Sequence, residues 1–195
     1  MLKIQLEIKL MAKQYAQLNP THIEFIKNQK MYFVASATEK SRVNVSPKGL
    51  DTLRVLSDNR LIWLNLTGSG NETAAHVSLN SRITIMFCAF VGSPLILRVY
   101  GNARVVHPYN AEWLELLSNF PKQPGPRQIF DVQIDLVQTS CGFGVPLFDS
   151  VSDRQMINDW AEAKGPEGIE EYWAKKNQTS IDGLPTHVLT KSSDD

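Results

Sequence analysis

LIWLNLTGSGNETAAH, residues 61–76, changes its local pattern twice. Residues 61–66 are apolar apart from Asn65 and read as a strand. Gly68-Ser69-Gly70 then breaks the run as a turn. From residue 72 to 78 the composition favours a helix. Ser69 and Glu72 have the spacing of a capping box. Amides at such a helix start lack intrahelical partners, and the helix dipole favours an anion beside them. The glycines let a phosphate come close to the backbone. The same spacing also suits an ordinary capped helix after a strand. A Walker loop is excluded because no GK[ST] follows. A dinucleotide fingerprint is excluded because Thr73 stands where a third glycine is required.

Upstream lies RVNVSPKG, residues 42–49. In a strand Arg42, Asn44 and Ser46 share one face, and Val43 and Val45 share the other. Lys48 follows just past the strand end. Either a solvated edge strand or the wall of a site for a polar ring edge and a phosphate fits this pattern. Further strand patterns cover residues 31–37, 82–90, 95–106 and 130–139, with turns at Pro47-Lys48-Gly49, Asp58-Asn59 and Gly92-Ser93-Pro94. About six strands at short spacing, mostly without intervening helices, predict a mainly β, split antiparallel barrel with peripheral helices.

Thr21 and Glu24 have capping-box spacing ahead of a short helix carrying Ile23 and Ile26. A helix from Asn110 places Trp113, Leu114 and Leu117 on one face. After residue 141 the composition shifts to two helices, 153–163 and 166–176, the second opening on proline. They carry Trp160, Tyr172 and Trp173, read as packing residues and candidate interface anchors. The expected division is an N-terminal arm over 1–20, a barrel domain over 21–140, and a helical extension over 141–195 packed on the same domain or on a dimer partner. Residues 1–10, MLKIQLEIKL, alternate like a short peripheral strand and lack the continuous apolar stretch of a secretory signal.

The 195 residues carry 20 basic and 20 acidic side chains, so no global basic field for nucleic acid exists. No apolar run reaches the roughly 20 residues needed to span a bilayer. Two widely separated cysteines exclude a disulfide scaffold, and the reading is a cytoplasmic protein. Cys88 falls in an apolar strand and Cys141 on a loop. His22, His76, His107 and His187 show no metal-ligand spacing, so no metal is expected.

Over residues 21–137 the sequence resembles the pyridoxamine 5′-phosphate oxidase-like superfamily, the FMN-binding split barrels. The resemblance lies in RVNVSPKG, in LIWLNLTGSGNETAAH, in NSRITIMF at 80–87, and in the strand containing Tyr100-Gly101. It implies that Val43, Asn44, Val45 and Ser46 border the flavin ring, with Arg42 at the start of the same strand. It also implies that Lys48, Thr67, Ser69, Gly70, Asn71, Glu72 and Thr73 lie near the ribityl phosphate. The oxidase itself carries an Arg–Lys pair where this chain has Gly70-Asn71, and a basic, aromatic tail where this chain ends SSDD. The resemblance therefore extends to fold and FMN and not to a vitamin B6 substrate. Its phosphate grip relies on backbone amides, Lys48, Ser69 and Thr73. SCGFGVP at 140–146 and SIDGLPT at 180–186 look like a subgroup of unassigned substrate. The superfamily implies a homodimer with flavin at the interface. It also implies redox chemistry on a small molecule, with a nicotinamide nucleotide as a candidate partner. The alternatives are a non-enzymatic flavin-binding module, or a split barrel using deazaflavin or haem, the last requiring an axial ligand such as histidine.

Overall fold

A computed structural model describes residues 12–190. The expected strand over residues 1–10 lies outside the described residues. In chain order the elements are β1 (Lys13–Tyr15), α1 (Pro20–Lys27), β2 (Tyr32–Ser36), β3 (Asn44–Lys48), β4 (Leu53–Ser57), β5 (Arg60–Leu66), α2 (Glu72–Leu79), β6 (Arg82–Cys88), β7 (Ile96–Val106), α3 (Trp113–Leu117), β8 (Pro126–Ser140) and α4 (Met156–Lys176). The strands form one antiparallel sheet in the order β3-β2-β6-β7-β8-β5-β4, with β1 added against β8. This is the expected split barrel, with β1 and β4 joining the strands legible in the sequence. The hydrogen-bonded path is open and ends at β3 and β4. The sheet curls so that side chains span the gap: Lys48 Nζ donates to Asn65 Oδ1 at 3.1 Å, and the Tyr32 and Thr52 hydroxyls meet at 3.0 Å.

β5 lacks alternation because it is buried on both faces. Leu61 and Trp63 enter the barrel core, where Trp63 stacks on Phe130 at 4.2 Å. Ile62 and Leu64 enter a second cluster with Val106, Trp113, Leu116, Phe120 and Ile129. A side chain at Gly101 would collide with the Gln133 carbonyl, where the β7–β8 register shifts. That close approach of backbones requires glycine.

Three local expectations are corrected. Asn19, and not Thr21, caps α1. Its Oδ1 accepts from the His22 amide at 2.9 Å, and Pro20 takes the first helical turn, where a missing N–H costs nothing. Leu114 is exposed, while Trp113 and Leu116 are buried, because the short α3 meets the sheet along an i, i+3 line. The two C-terminal helices run on from one another across a kink. Gly165 there has φ 65°, and Pro166 has no amide to donate. This extension has its own small core of Ala161, Ile169, Trp173 and Val188, and it reaches the barrel of its own chain through Trp173 to Thr67 and Asn177 to Arg127. Among the described residues, no helix is long and apolar enough to cross a membrane.

Candidate functional site

The gap between β3 and β5 opens into a cavity of about 460 Å³ roofed by the 68–71 turn and the start of α2. That volume falls within the roughly 300–1,000 Å³ of small-molecule sites. β3 turns its polar residues inward: Asn44, Ser46 and Lys48 line the cavity. Asn44 Nδ2 donates to Thr73 Oγ1 at 3.2 Å, tying the strand to α2. Ser69, Gly70, Asn71, Glu72 and Thr73 line the opposite wall. Eight of the twelve predicted site residues are thus brought together.

The other four stand elsewhere. Val45 points out of the barrel, 59% exposed, on the other face of edge strand β3, and Val43, 73% exposed, lies just before that strand, which runs over Asn44–Lys48 and not over the expected 42–46. Arg42 leaves the site to pair with Asp182, which also accepts from the Arg42 amide at 2.9 Å. Thr67 is buried behind the turn. Its hydroxyl donates to the Gly125 carbonyl and accepts from Trp173 Nε1, both at 2.9 Å.

The predicted capping box at Ser69 and Glu72 does not form. α2 starts later, with Asn71 as its N-cap, and no side chain caps it. Glu72 instead accepts from the Ile181 amide, 3.0 and 3.1 Å from its two oxygens. Ile181 belongs to the C-terminal segment that folds back over α2, and this competing amide draws the carboxylate away from the helix start.

Three cavity or turn residues were not found from the sequence: Asn65, Arg127 and Asn177. Arg127 reaches the cavity from the start of β8. Its guanidinium donates to the Gly68 carbonyl at 3.2 Å, the Gly70 carbonyl at 2.9 Å and Asn177 Oδ1 at 2.8 Å. Asn65 receives Lys48 and donates to Gln128 Oε1 at 3.2 Å. A single arginine or asparagine in a strand has no spacing signal, and only the β5–β8 register joins them.

The cavity holds two cations, with the Glu72 carboxylate on the opposite wall turned to the Ile181 amide. Burial, reinforced by the Arg127 charge, pushes the Lys48 ammonium down to about 8. Burial likewise pushes Arg127 down to about 10. Among the described residues neither cation has a carboxylate partner. The Asn71 amide is buried with both polar atoms unbonded. Burying a charge without a partner is costly, so such groups normally have one. Two cations without carboxylate partners beside an unbonded amide are an arrangement that can receive an anion.

The remaining candidates lie outside it. His76 is buried with Nδ1 3.1 Å from Ser36 Oγ. Cys88 is buried in β6, where burial pushes its thiol up. Cys141 is half-buried at the end of β8. Among the described residues no three or more His, Cys, Asp or Glu side chains are grouped to hold a metal.

A protein-family model described as pyridoxamine 5′-phosphate oxidase matches residues 18–141. The chain is 34% identical over 190 residues to the pyridoxamine 5′-phosphate oxidase family protein ustO of Aspergillus flavus, covering 88% of this chain and 76% of that one. Among solved structures, HupZ of Group A Streptococcus shows 19% identity and a TM-score of 0.49, over 61% of this chain and 91% of its own. A putative pyridoxamine 5′-phosphate oxidase of Lactobacillus delbrueckii shows 20% identity and a TM-score of 0.48, over 63% of this chain and 94% of its own. The family assignment rests on the two sequence matches, which together span the barrel and continue beyond it. The chain belongs to the pyridoxamine 5′-phosphate oxidase family.

Proposed function

We propose that this chain is an FMN-dependent oxidoreductase that acts as a homodimer on a small-molecule substrate. The observation that carries the reading is a pair of cations, half-buried Lys48 and buried Arg127, that line one cavity with the unused Asn71 amide and have no carboxylate partner among the described residues. A phosphate monoester supplies the charge those groups lack. Lys48, Arg127, Asn71 and Thr73 hold it there, and Asn44 and Ser46 offer hydrogen-bonding groups to the rest of the ligand. Arg127 takes the place of the Arg–Lys pair missing from the turn. FMN is favoured over FAD because its phosphate is terminal and because the turn lacks the dinucleotide fingerprint. Among the described residues that line the cavity there is no histidine, cysteine, methionine or tyrosine to serve a haem as axial ligand, which favours a flavin.

When bound, the flavin ring supplies hydride or electron transfer, and the protein supplies binding and orientation. This accounts for a cavity that contains cations and amides and has no nucleophile paired with a base. Exposed Val45 on β3 and Val43 just before it give the homodimer reading its support, since an exposed apolar edge is a surface that proteins normally cover.

The experiment is the absorption spectrum of the purified protein, followed by titration with FMN, riboflavin and FAD. FMN binding tightest is the expected result, and FAD binding as tightly or tighter overturns the cofactor assignment. Reduction of the loaded protein by NADH or NADPH, then reoxidation, distinguishes an enzyme from a flavin-binding module. Light scattering that finds a flavin-loaded monomer at micromolar concentration removes the homodimer.

A further inference from the structure

The 68–71 turn is the part of the cavity that its own side chains do not hold. Ser69 does not cap α2, and Asn71 makes no capping bond. The turn is held instead by Asn177, at the C-terminal end of α4. Asn177 is fully buried. Its Nδ2 donates to the carbonyls of Gly68 at 3.2 Å and Ser69 at 3.3 Å, while its Oδ1 accepts from Arg127. Arg127 in turn takes the Gly70 carbonyl. Asn177 is itself fixed at both ends. Its amide donates to the Trp173 carbonyl at 3.0 Å, and its own carbonyl accepts from the Thr186 hydroxyl.

The arrangement has a geometric consequence. In a planar trans peptide the C=O and the following N–H point in opposite directions. Three consecutive carbonyls drawn toward Asn177 and Arg127 leave the amides of Ser69, Gly70 and Asn71 facing the other side of the turn. Successive amides turned one way form an anion-binding concavity. We propose that Asn177 is a positioning residue of the anion site: by holding the Gly68 and Ser69 carbonyls and orienting Arg127, it presents the turn amides to a phosphate. The C-terminal extension is thereby a working part of the site. This rests on the cavity receiving an anion, as argued above, and does not depend on that anion being a flavin.

The test uses the full chain as wild type, Asn177→Ala and Asn177→Asp. Two measurements are made: the rise of the thermal midpoint with inorganic phosphate, and the affinities for FMN and riboflavin. Wild type is expected to be stabilised by phosphate. Asn177→Ala should need roughly tenfold more phosphate for the same rise and bind FMN roughly tenfold more weakly, the equivalent of one lost charged hydrogen bond. Riboflavin, which has no phosphate, should change by less than about twofold in the same variant. Asn177→Asp keeps an acceptor for Arg127, so it should fold even if Asn177→Ala does not. It should show the same split between FMN and riboflavin, enlarged by its added negative charge. A phosphate response equal to wild type in either variant, equal losses for FMN and riboflavin, or loss of the fold in Asn177→Asp overturns the proposal. Wild type that responds to phosphate and ignores FMN removes the flavin reading and leaves Asn177 in its role. Wild type that ignores both overturns this proposal as well.

Discussion

Two clusters of charge lie on β8, and they are built oppositely. At Asp131, one carboxylate accepts from two arginines: Arg60 Nε at 2.9 Å and Arg104 Nη2 at 2.8 Å. Burial pushes the Asp131 carboxyl up, but the hydrogen bonds from Arg60 and Arg104 outweigh it and hold the group below the usual carboxylate range. Four residues earlier on the same strand, Arg127 faces a cavity with Lys48, and among the described residues neither is paired with a carboxylate. Both clusters bring cations together on one sheet. The first is complete within the chain and serves the fold. The second has no carboxylate partner among the described residues, and in the function proposed above a phosphate supplies the missing charge.

The largest effect expected from that contrast is on binding. Lys48→Met should weaken FMN by about 1.5–3 kcal/mol, the range for hydrogen bonds to charged groups, and leave riboflavin nearly unchanged. In wild type the FMN affinity should also fall as pH rises above about 8, where Lys48 loses its proton. Titration of both flavins across that range measures this, and a pH-independent FMN affinity would place Lys48 away from the phosphate.

Asp131→Ala should act on the fold and not on the ligand. Removing one partner of a buried pair costs about 3–5 kcal/mol, but Arg60 and Arg104 reach solvent, which brings the expected loss to about 1–3 kcal/mol. Denaturant unfolding gives the value, and a parallel loss of FMN affinity would mean that the two clusters are not independent.

The third effect has the opposite sign. Lys48→Met should stabilise the ligand-free protein by up to about 1 kcal/mol, the relief of an unpaired, half-buried charge less the bond to Asn65. The unfolded chain holds the Lys48 proton up to the ordinary lysine value of 10.5, while the folded chain releases it from about 8. Between those values the unfolded state binds more protons, so wild-type stability should rise with pH, and Lys48→Met should lack that rise. Unfolding midpoints at pH 7 and pH 10 for both proteins settle the sign.

The smallest effect concerns the turn. Since Ser69 caps nothing, Ser69→Ala should change stability by less than about 0.5 kcal/mol, against the roughly 1 kcal/mol typical of a lost cap. A full capping loss would restore the box that the structure lacks.

Much of the fold is readable locally. The apolar run of β5, the glycine turn and the helix after it are set by neighbours a few residues apart, and they form where the pattern places them. β1 and β4 are harder to read. β1 is only three residues long, and the polar and charged residues within it and at the end of β4 dilute their alternation. One wall of the site was equally legible: Asn44, Ser46 and Lys48 alternate on one strand face, and period two needs no tertiary information. That alternation also separates Val43 and Val45 from the cavity, yet which face turns inward is a property of the closed sheet. Arg42 was drawn out of the site by Asp182, and the Glu72 carboxylate, still on the cavity wall, was turned from its capping role by Ile181, both partners more than 100 residues away.

The sequence by itself determined the strand–turn–helix, the polar face of β3 and the family to which these motifs belong, because periodicity, turn chemistry and helix composition are short-range quantities. The tertiary structure decided which charges are left unpaired and what holds the turn. Arg127 meets Gly70 across 57 residues, and Asn177 meets Gly68 across 109. A hydrogen bond carries no trace of its distance along the chain. It depends on the sheet register and the docking of α4, and both follow from burying apolar surface over the whole molecule.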